Sequence, residues 1–253
     1  MRLASATIIS NTELRPGLRL LELRSPYLSQ AAQPGQYGMV RCCDALATDP
    51  LLRRPFFIHT TQREREQCSL LVAERGRGSA WLARQPARAT LDILGPLGHG
   101  WQVRPGARNL LLIGEGAFVP SLTLLAQTAI EQELAVTLLC QFASEAEIYP
   151  PTLLSPEIEY HATTLDDEAR PLLEMIGDYL AWADTVYCGV SLATAQALYQ
   201  RYERLRHRHM AQGIVTRPFA CASGVCLTCA IDTHAGSRLV CRDGPVFAME
   251  EIV

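Results

Sequence analysis

Four cysteines packed into 21 residues near the end of the chain constrain its architecture more than any other feature. They stand at Cys221, Cys226, Cys229 and Cys241 in "CASGVCLTCAIDTHAGSRLVC" (221–241). The opening "MRLASATIISNTELRPG" is too polar and too interrupted for a signal peptide and reads as a first strand. No apolar run approaches the roughly 18 residues a membrane span needs. The expected location is therefore the cytoplasm, where thiols stay reduced and disulfides are disfavoured, so the four cysteines point to a metal or iron–sulfur centre. The other five, Cys42, Cys43, Cys68, Cys140 and Cys188, are scattered through apolar, strand-like contexts and read as small buried hydrophobes.

The cysteine spacing is C-x4-C-x2-C-x11-C. Plant-type 2Fe–2S ferredoxins use C-x4-C-x2-C followed by a distant fourth cysteine, because each of two irons takes two thiolates besides the bridging sulfides. Ser223 and Gly224 suit a backbone that must turn tightly and aim N–H groups at sulfur. Structural zinc also takes four thiolates, and spacing alone leaves it open, although C-x2-C is its more usual form.

The rest of the chain divides by style. Up to residue 103, short segments such as "LRLLELRS" (18–25), "PGQYGMVRCC" (34–43), "CSLLVA" (68–73) and "TLDIL" (90–94) predict an antiparallel β-barrel or sandwich. From 104 to 210, buried strand-like runs such as "NLLLIG" alternate with helical stretches over 119–133, 171–183 and 192–205. That pattern predicts an α/β domain with a parallel sheet, of the nucleotide-binding type. Residues 211–253 form the cysteine-bearing appendage. All 23 basic residues are arginine, and they are unevenly placed. Residues 1–108 carry a net +7, residues 109–200 a net −12 with Arg170 as their single arginine, and residues 201–253 a net +2. A diphosphate prefers the first region. The run "RYERLRHRH" (201–209) reads either as a solvated helix end or as a docking surface for an acidic partner.

The motifs "PGQYGMVR", "LRRPFFI", "GRGSAWL", "GPLGHGW" and "CASGVCLTCAI…LVCRDGPVF" resemble, over the full length, the electron-transfer subunit family of dihydroorotate dehydrogenase, relatives of the ferredoxin reductases. The resemblance implies a barrel that binds FAD (1–103), an NAD-binding-like α/β domain (104–210) and a small 2Fe–2S domain (211–253). It also implies a hetero-oligomer with a catalytic flavoprotein subunit in pyrimidine synthesis. Neither nucleic acid nor membrane is an expected partner.

By the same resemblance Arg54, Pro55, Phe56 and Phe57 occupy a flavin motif, Arg-x-aromatic-Ser/Thr. The arginine offers a charge-assisted fork to a diphosphate, and the aromatic supplies a flat apolar surface. Gly76, Gly78 and Ser79 open the helical "SAWLARQ", where free N–H groups and a hydroxyl can meet a diphosphate. Phe57 stands where the family carries a small hydroxyl residue near flavin N5, and phenylalanine donates no hydrogen bond there.

At the nicotinamide end Gly114 and Gly116 keep a tight strand-to-helix turn, but Glu115 and Phe118 replace residues whose smallness admits a pyrophosphate. A carboxylate there competes for the local N–H groups. "Cys188-Gly189-Val190-Ser191" stands where relatives read Cys-Gly-Pro. Binding of NAD(H) is therefore in question.

The leading expectation is an oxidoreductase subunit in which FAD links two-electron to one-electron chemistry and the four cysteines hold the relay. No acid–base dyad or nucleophile is required, since the cofactors carry the chemistry. The rival readings are a reductase subunit serving a hydrogenase or another flavoenzyme, and a nicotinamide-independent relay or assembly protein.

Overall fold

Alternation sets the first sheet. In β1 (Leu3–Arg15), Ala4, Ala6 and Ile8 are buried while their neighbours face water, the period of two expected of a half-buried strand. The computed structural model describes residues 2–165 and 172–253. Strands β2 (Leu18–Arg24), β3 (Tyr37–Val40), β4 (Arg54–Phe57), β5 (Thr60–Gln62), β6 (Gln67–Ala73) and β7 (Thr90–Leu97) complete an antiparallel sheet in the order β4-β3-β7-β1-β2-β6-β5. Two short helices, α1 (Pro26–Ala31) and α2 (Arg77–Ala83), pack on it. The sheet curls until β4 contacts β6, around a core that includes Ile8, Leu21, Leu70 and Ile93. Among the described residues no ladder joins the edge strands β4 and β5. The expected barrel is thus a curled sheet.

The second sheet is parallel where the sequence runs apolar without alternation. Strand β8 (Asn109–Glu115) buries five consecutive residues, Leu110 to Gly114, as a strand covered on both faces must. With β9 (Ala135–Phe142), β10 (Glu159–Thr164), β11 (Thr185–Gly189) and β12 (Ala211–Ile214) it forms the order β10-β9-β8-β11-β12. Helices α3 (Thr123–Glu131), α4 (Leu172–Leu180) and α5 (Leu192–Arg201) supply the crossovers. The helix expected over 119–133 starts later, because Gly116–Ser121 form a 3-10 turn that contains Pro120. The first residue of the helix expected over 171–183, and Arg170 before it, lie outside the described residues. Two arginines of the basic run after α5 bond carbonyls, Arg206 those of Tyr199 and Gln200 and Arg204 that of Ala183, as cations near a helix end commonly do.

The third segment does not stand apart. A hairpin of β13 (Ala230–Thr233) and β14 (Gly236–Leu239) leads through α6 (Val240–Asp243) to β15 (Val246–Ala248), and α7 (Met249–Ile252) closes the chain. Strand β15 pairs antiparallel with β12, so the division expected at 210/211 falls inside one continuous sheet. The five scattered cysteines are all buried.

Polar contacts join the two sheets. Leu124 of α3 sits in the core of the first sheet, Thr123 donates to the His59 carbonyl at 2.7 Å, and Gln127 brackets both backbone groups of Thr61. His59 itself is buried, with Nδ1 2.9 Å from the Ser69 hydroxyl and Nε2 2.6 Å from the Tyr149 hydroxyl. Burial pushes its pKa down from 6.5 to about 4. On acidification the unfolded chain takes up this proton through about pH 6.5, while the folded protein resists until about pH 4. His59 therefore removes up to about 3 kcal/mol of stability as pH falls across that window. Urea midpoints measured from pH 7.5 down to 4.5 should fall less steeply in His59→Gln than in wild type; parallel profiles contradict this assignment.

Candidate functional site

Curling of the first sheet brings β4 against the turn that opens α2. Arg54, Pro55 and Phe56 thereby share an open cleft of about 370 Å³ with Arg75, Gly76, Arg77, Gly78 and Ser79. Gly78 keeps the turn close to β4, since a Cβ there would lie 3.0 Å from Arg54 Cγ and 3.3 Å from Cys42 Cβ, tighter than an ordinary contact. Nothing crowds Gly76, whose backbone is extended. The Ser79 hydroxyl accepts the N–H groups of Arg75 and Gly76 and donates to the Gly76 carbonyl, so these donors close on one another. Arg54 rests its guanidinium on the Leu52 carbonyl at 2.7 Å, whereas neighbouring Arg53 is committed to Asp92 at 2.9 Å. The motif "ERGRGS" carries Arg75 and Arg77, but only the curl of the sheet brings them to the cleft that Arg54 lines. Arg77 is paired with the Asp49 carboxylate, which leaves Arg54 and Arg75 beside the glycine-containing turn, a set that fits a diphosphate.

Phe57 does not join this cleft. Successive strand residues face opposite ways, so its ring packs against the core of the second sheet and against a cluster containing Tyr37, Leu97 and Ala222. That cluster leads to the cysteines.

The four thiols gather as two pairs. Cys229 and Cys241 are buried, and the Cys241 N–H reaches the Cys229 sulfur at 3.4 Å while the Val240 N–H donates to the Cys229 carbonyl. Cys221 is half-buried and Cys226 is exposed, and the two lie close enough for Cys226 to stabilise the Cys221 thiolate. Left-handed backbone at Ala222 (φ 55°) and Gly224 (φ 88°) winds the loop between them, and at Leu227 (φ 58°) the turn on to Cys229. Ser223 donates its N–H to the Cys221 sulfur at 3.4 Å, which together with its hydroxyl brings the Cys221 thiol down to about 5, with Cys226 adding to the effect. Burial, then the Cys229 neighbour, pushes Cys241 up to about 12. Tyr37, from β3, donates its hydroxyl to the Cys241 carbonyl at 2.9 Å. Burial raises its pKa, and Cys241, Cys229 and Cys221 push the same way. Among the described residues no three His, Cys, Asp or Glu side chains surround one ion position. Two thiol pairs with inward N–H donors match two irons that each take two thiolates.

The crevice expected for a dinucleotide lies where the strand order reverses, between the C-terminal ends of β8 and β11. Gly114 is needed there, since a Cβ would sit 2.8 Å from Val119 Cγ2 and 3.0 Å from Cys140 Sγ. Gly116 has a left-handed φ of 46° with open space around it. Between them Glu115 reaches across the crevice. Its Oε2 accepts the Ser191 N–H at 2.8 Å and the Thr194 hydroxyl at 2.9 Å. Ser191 caps α5, so this carboxylate occupies the donors that an incoming phosphate needs. The sequence places Glu115 in the glycine turn; its partners on the far crossover are visible only in three dimensions. Phe118 packs against the core of the second sheet. The residues of this crevice do not fit a dinucleotide diphosphate.

A curled antiparallel sheet joined to a parallel α/β sheet, with a thiol-bearing extension, defines a ferredoxin-reductase-like protein. The whole arrangement superposes on an NADH-dependent reduced ferredoxin–NADP oxidoreductase with a TM-score of 0.80 at 18% identity, covering 98% of this chain and 89% of that one. A ferredoxin reductase of carbazole 1,9a-dioxygenase follows at 0.66 and 17% identity, covering 84% and 68%. The profile of the iron–sulfur cluster binding domain of dihydroorotate dehydrogenase B matches residues 217–253. The electron transfer subunit of dihydroorotate dehydrogenase B (NAD(+)) from Shouchella clausii is 30% identical over 256 residues, covering 98% of this chain and 96% of its own. Its counterpart from Bacillus cereus is 27% identical over 263 residues, covering 100% and 99%. The chain belongs to the dihydroorotate dehydrogenase B electron transfer subunit family.

Proposed function

We propose that this chain is the FAD and 2Fe–2S subunit through which electrons pass to or from a catalytic dihydroorotate-oxidising flavoprotein in a hetero-oligomer of pyrimidine synthesis. The observation that carries this reading is the Tyr37 hydroxyl on the Cys241 carbonyl, which ties the cysteine segment to β3, the strand paired with the one that bears Arg54 and Phe56. When bound, FAD exchanges electrons in pairs or singly and the cluster carries them one at a time. The chain's own residues hold and insulate these groups. Arg54, with Arg75 beside it, neutralises the diphosphate over the turn of Gly76, Gly78 and Ser79, while Pro55 and Phe56 flank the flavin ring. Cys221, Cys226, Cys229 and Cys241 hold the irons, and the Ser223 and Gly224 N–H groups stabilise charge on sulfur. Residues 1–103 serve the flavin and 211–253 the cluster, with 104–210 as the NAD-binding-like domain that braces both. No helix among the described residues is long and apolar enough to cross a membrane; a reducing, cytoplasmic setting would keep the four thiols available to iron.

Glu115 favours one refinement, that this subunit relays electrons without accepting them from a nicotinamide. Gly114 and Gly116 shape the turn, yet the carboxylate between them takes the phosphate's place. The test is an oxygen-free titration of the FAD-loaded, cluster-loaded protein. Dithionite should bleach both centres, and NADH in excess should leave the flavin oxidised over the same interval. Prompt bleaching by NADH overturns the refinement and leaves the relay standing. Wild-type protein containing neither iron nor acid-labile sulfide overturns the relay.

A further inference from the structure

Tyr37 and Phe57 face each other across β3 and β4. The Ile58 N–H donates to the Gln36 carbonyl at 3.0 Å, which makes 36/58 a bonded pair and 37/57 the closer, non-bonded one, with side chains on the same face. Beyond Tyr37 the contacts continue in two directions. Its hydroxyl meets the Cys241 carbonyl at 2.9 Å in a buried hydrogen bond, and its ring lies 4.9 Å from Phe219, next to Ala222 in the same cluster. Tyr37 is 1% exposed, so water supplies no competing partner to either group.

We propose that Tyr37 is the positioning residue that couples the flavin-bearing strand to the cluster, its hydroxyl fixing the Cys241 end of the thiol set at a constant distance from β4. This rests on the electron-carrier reading above. In the step it serves, one electron lost at the flavin is gained by one ferric iron; no bond forms or breaks, and no proton travels the route. The hydroxyl also adds a fixed dipole beside the Cys241 ligand, and such outer hydrogen bonds tune a cluster's potential.

Tyr37→Phe tests this, because it keeps the ring on Phe219 and removes only the donor. In protein loaded with FAD and cluster without oxygen, the variant should show a more negative cluster potential and a shifted EPR spectrum. Cluster reduction after photoreduction of the flavin should slow by about tenfold or more. Phe219→Leu, which cuts ring packing and spares the hydrogen bond, should keep wild-type values. If Tyr37→Phe takes up less iron, potential and rate are read on its loaded fraction, normalised to cluster content. Unchanged potential, spectrum and rate in Tyr37→Phe overturn the proposal, as does Phe219→Leu matching its slowing. A failure of the carrier reading is distinct, since it appears as wild-type protein lacking iron and sulfide.

Discussion

Cys229→Ser, reconstituted without oxygen, should retain at least about tenfold less iron and acid-labile sulfide than wild type, while its FAD content stays the same. Cys229 is the most telling of the four ligands because it also joins a small core with Val215, Val240 and Phe247. Its sulfur and carbonyl both accept N–H groups from α6. Serine keeps the backbone contacts and the volume but offers no soft thiolate. The cleft of Arg54 and Gly78 lies on the other face of β4, so flavin absorbance reports that the fold survives. Iron retained at wild-type level, or zinc at one equivalent in the native protein, contradicts the assignment.

The second large effect is a gain. Glu115→Gly combined with Phe118→Gly should make NADH bleach the bound flavin at least about tenfold faster than in wild type. The Glu115 carboxylate holds the Ser191 N–H and Thr194 hydroxyl at the cap of α5, the place where a phosphate gains most from helix N–H groups. A carboxylate about 4 Å from a phosphate charge opposes it by roughly 4 kcal/mol at an effective dielectric of about 20, before screening reduces that figure. A third of it is worth about tenfold in affinity. Glu115→Gln separates charge from obstruction: it removes the repulsion but leaves a side chain on the donors, so its effect should be intermediate. Failure of the double variant to accelerate bleaching places the block elsewhere, with Phe57 as the next position to test, since its side of β4 has no donor where the family has a hydroxyl.

On the two proposals above, the middle domain serves this subunit as a brace. Helix α3 contributes Leu124 to the first core and clamps β5 through Gln127, and β12 carries β15 directly after the cluster segment. Without this domain the cysteine loop has no sheet to attach to. Electron passage depends steeply on separation, so a rigid brace serves a relay even where no dinucleotide enters the crevice.

The linear sequence determined the local chemistry. Thiol spacing pointed to a four-thiolate centre and the motif resemblance to a two-iron one, apolar runs and alternation distinguished the two sheets, and Glu115 was visible as a charge in a glycine turn, because each signal lies within about two dozen residues. Tertiary structure decided what those residues touch. The 54–57 motif splits across two faces of β4, Arg75 and Arg77 come to line one cleft with Arg54, Glu115 finds Ser191 on a distant crossover, and Tyr37 meets Cys241 from the opposite end of the chain. Such meetings follow from the curl of one sheet and the strand order of the other, which arise from packing across the whole molecule and leave no periodicity in the sequence to read.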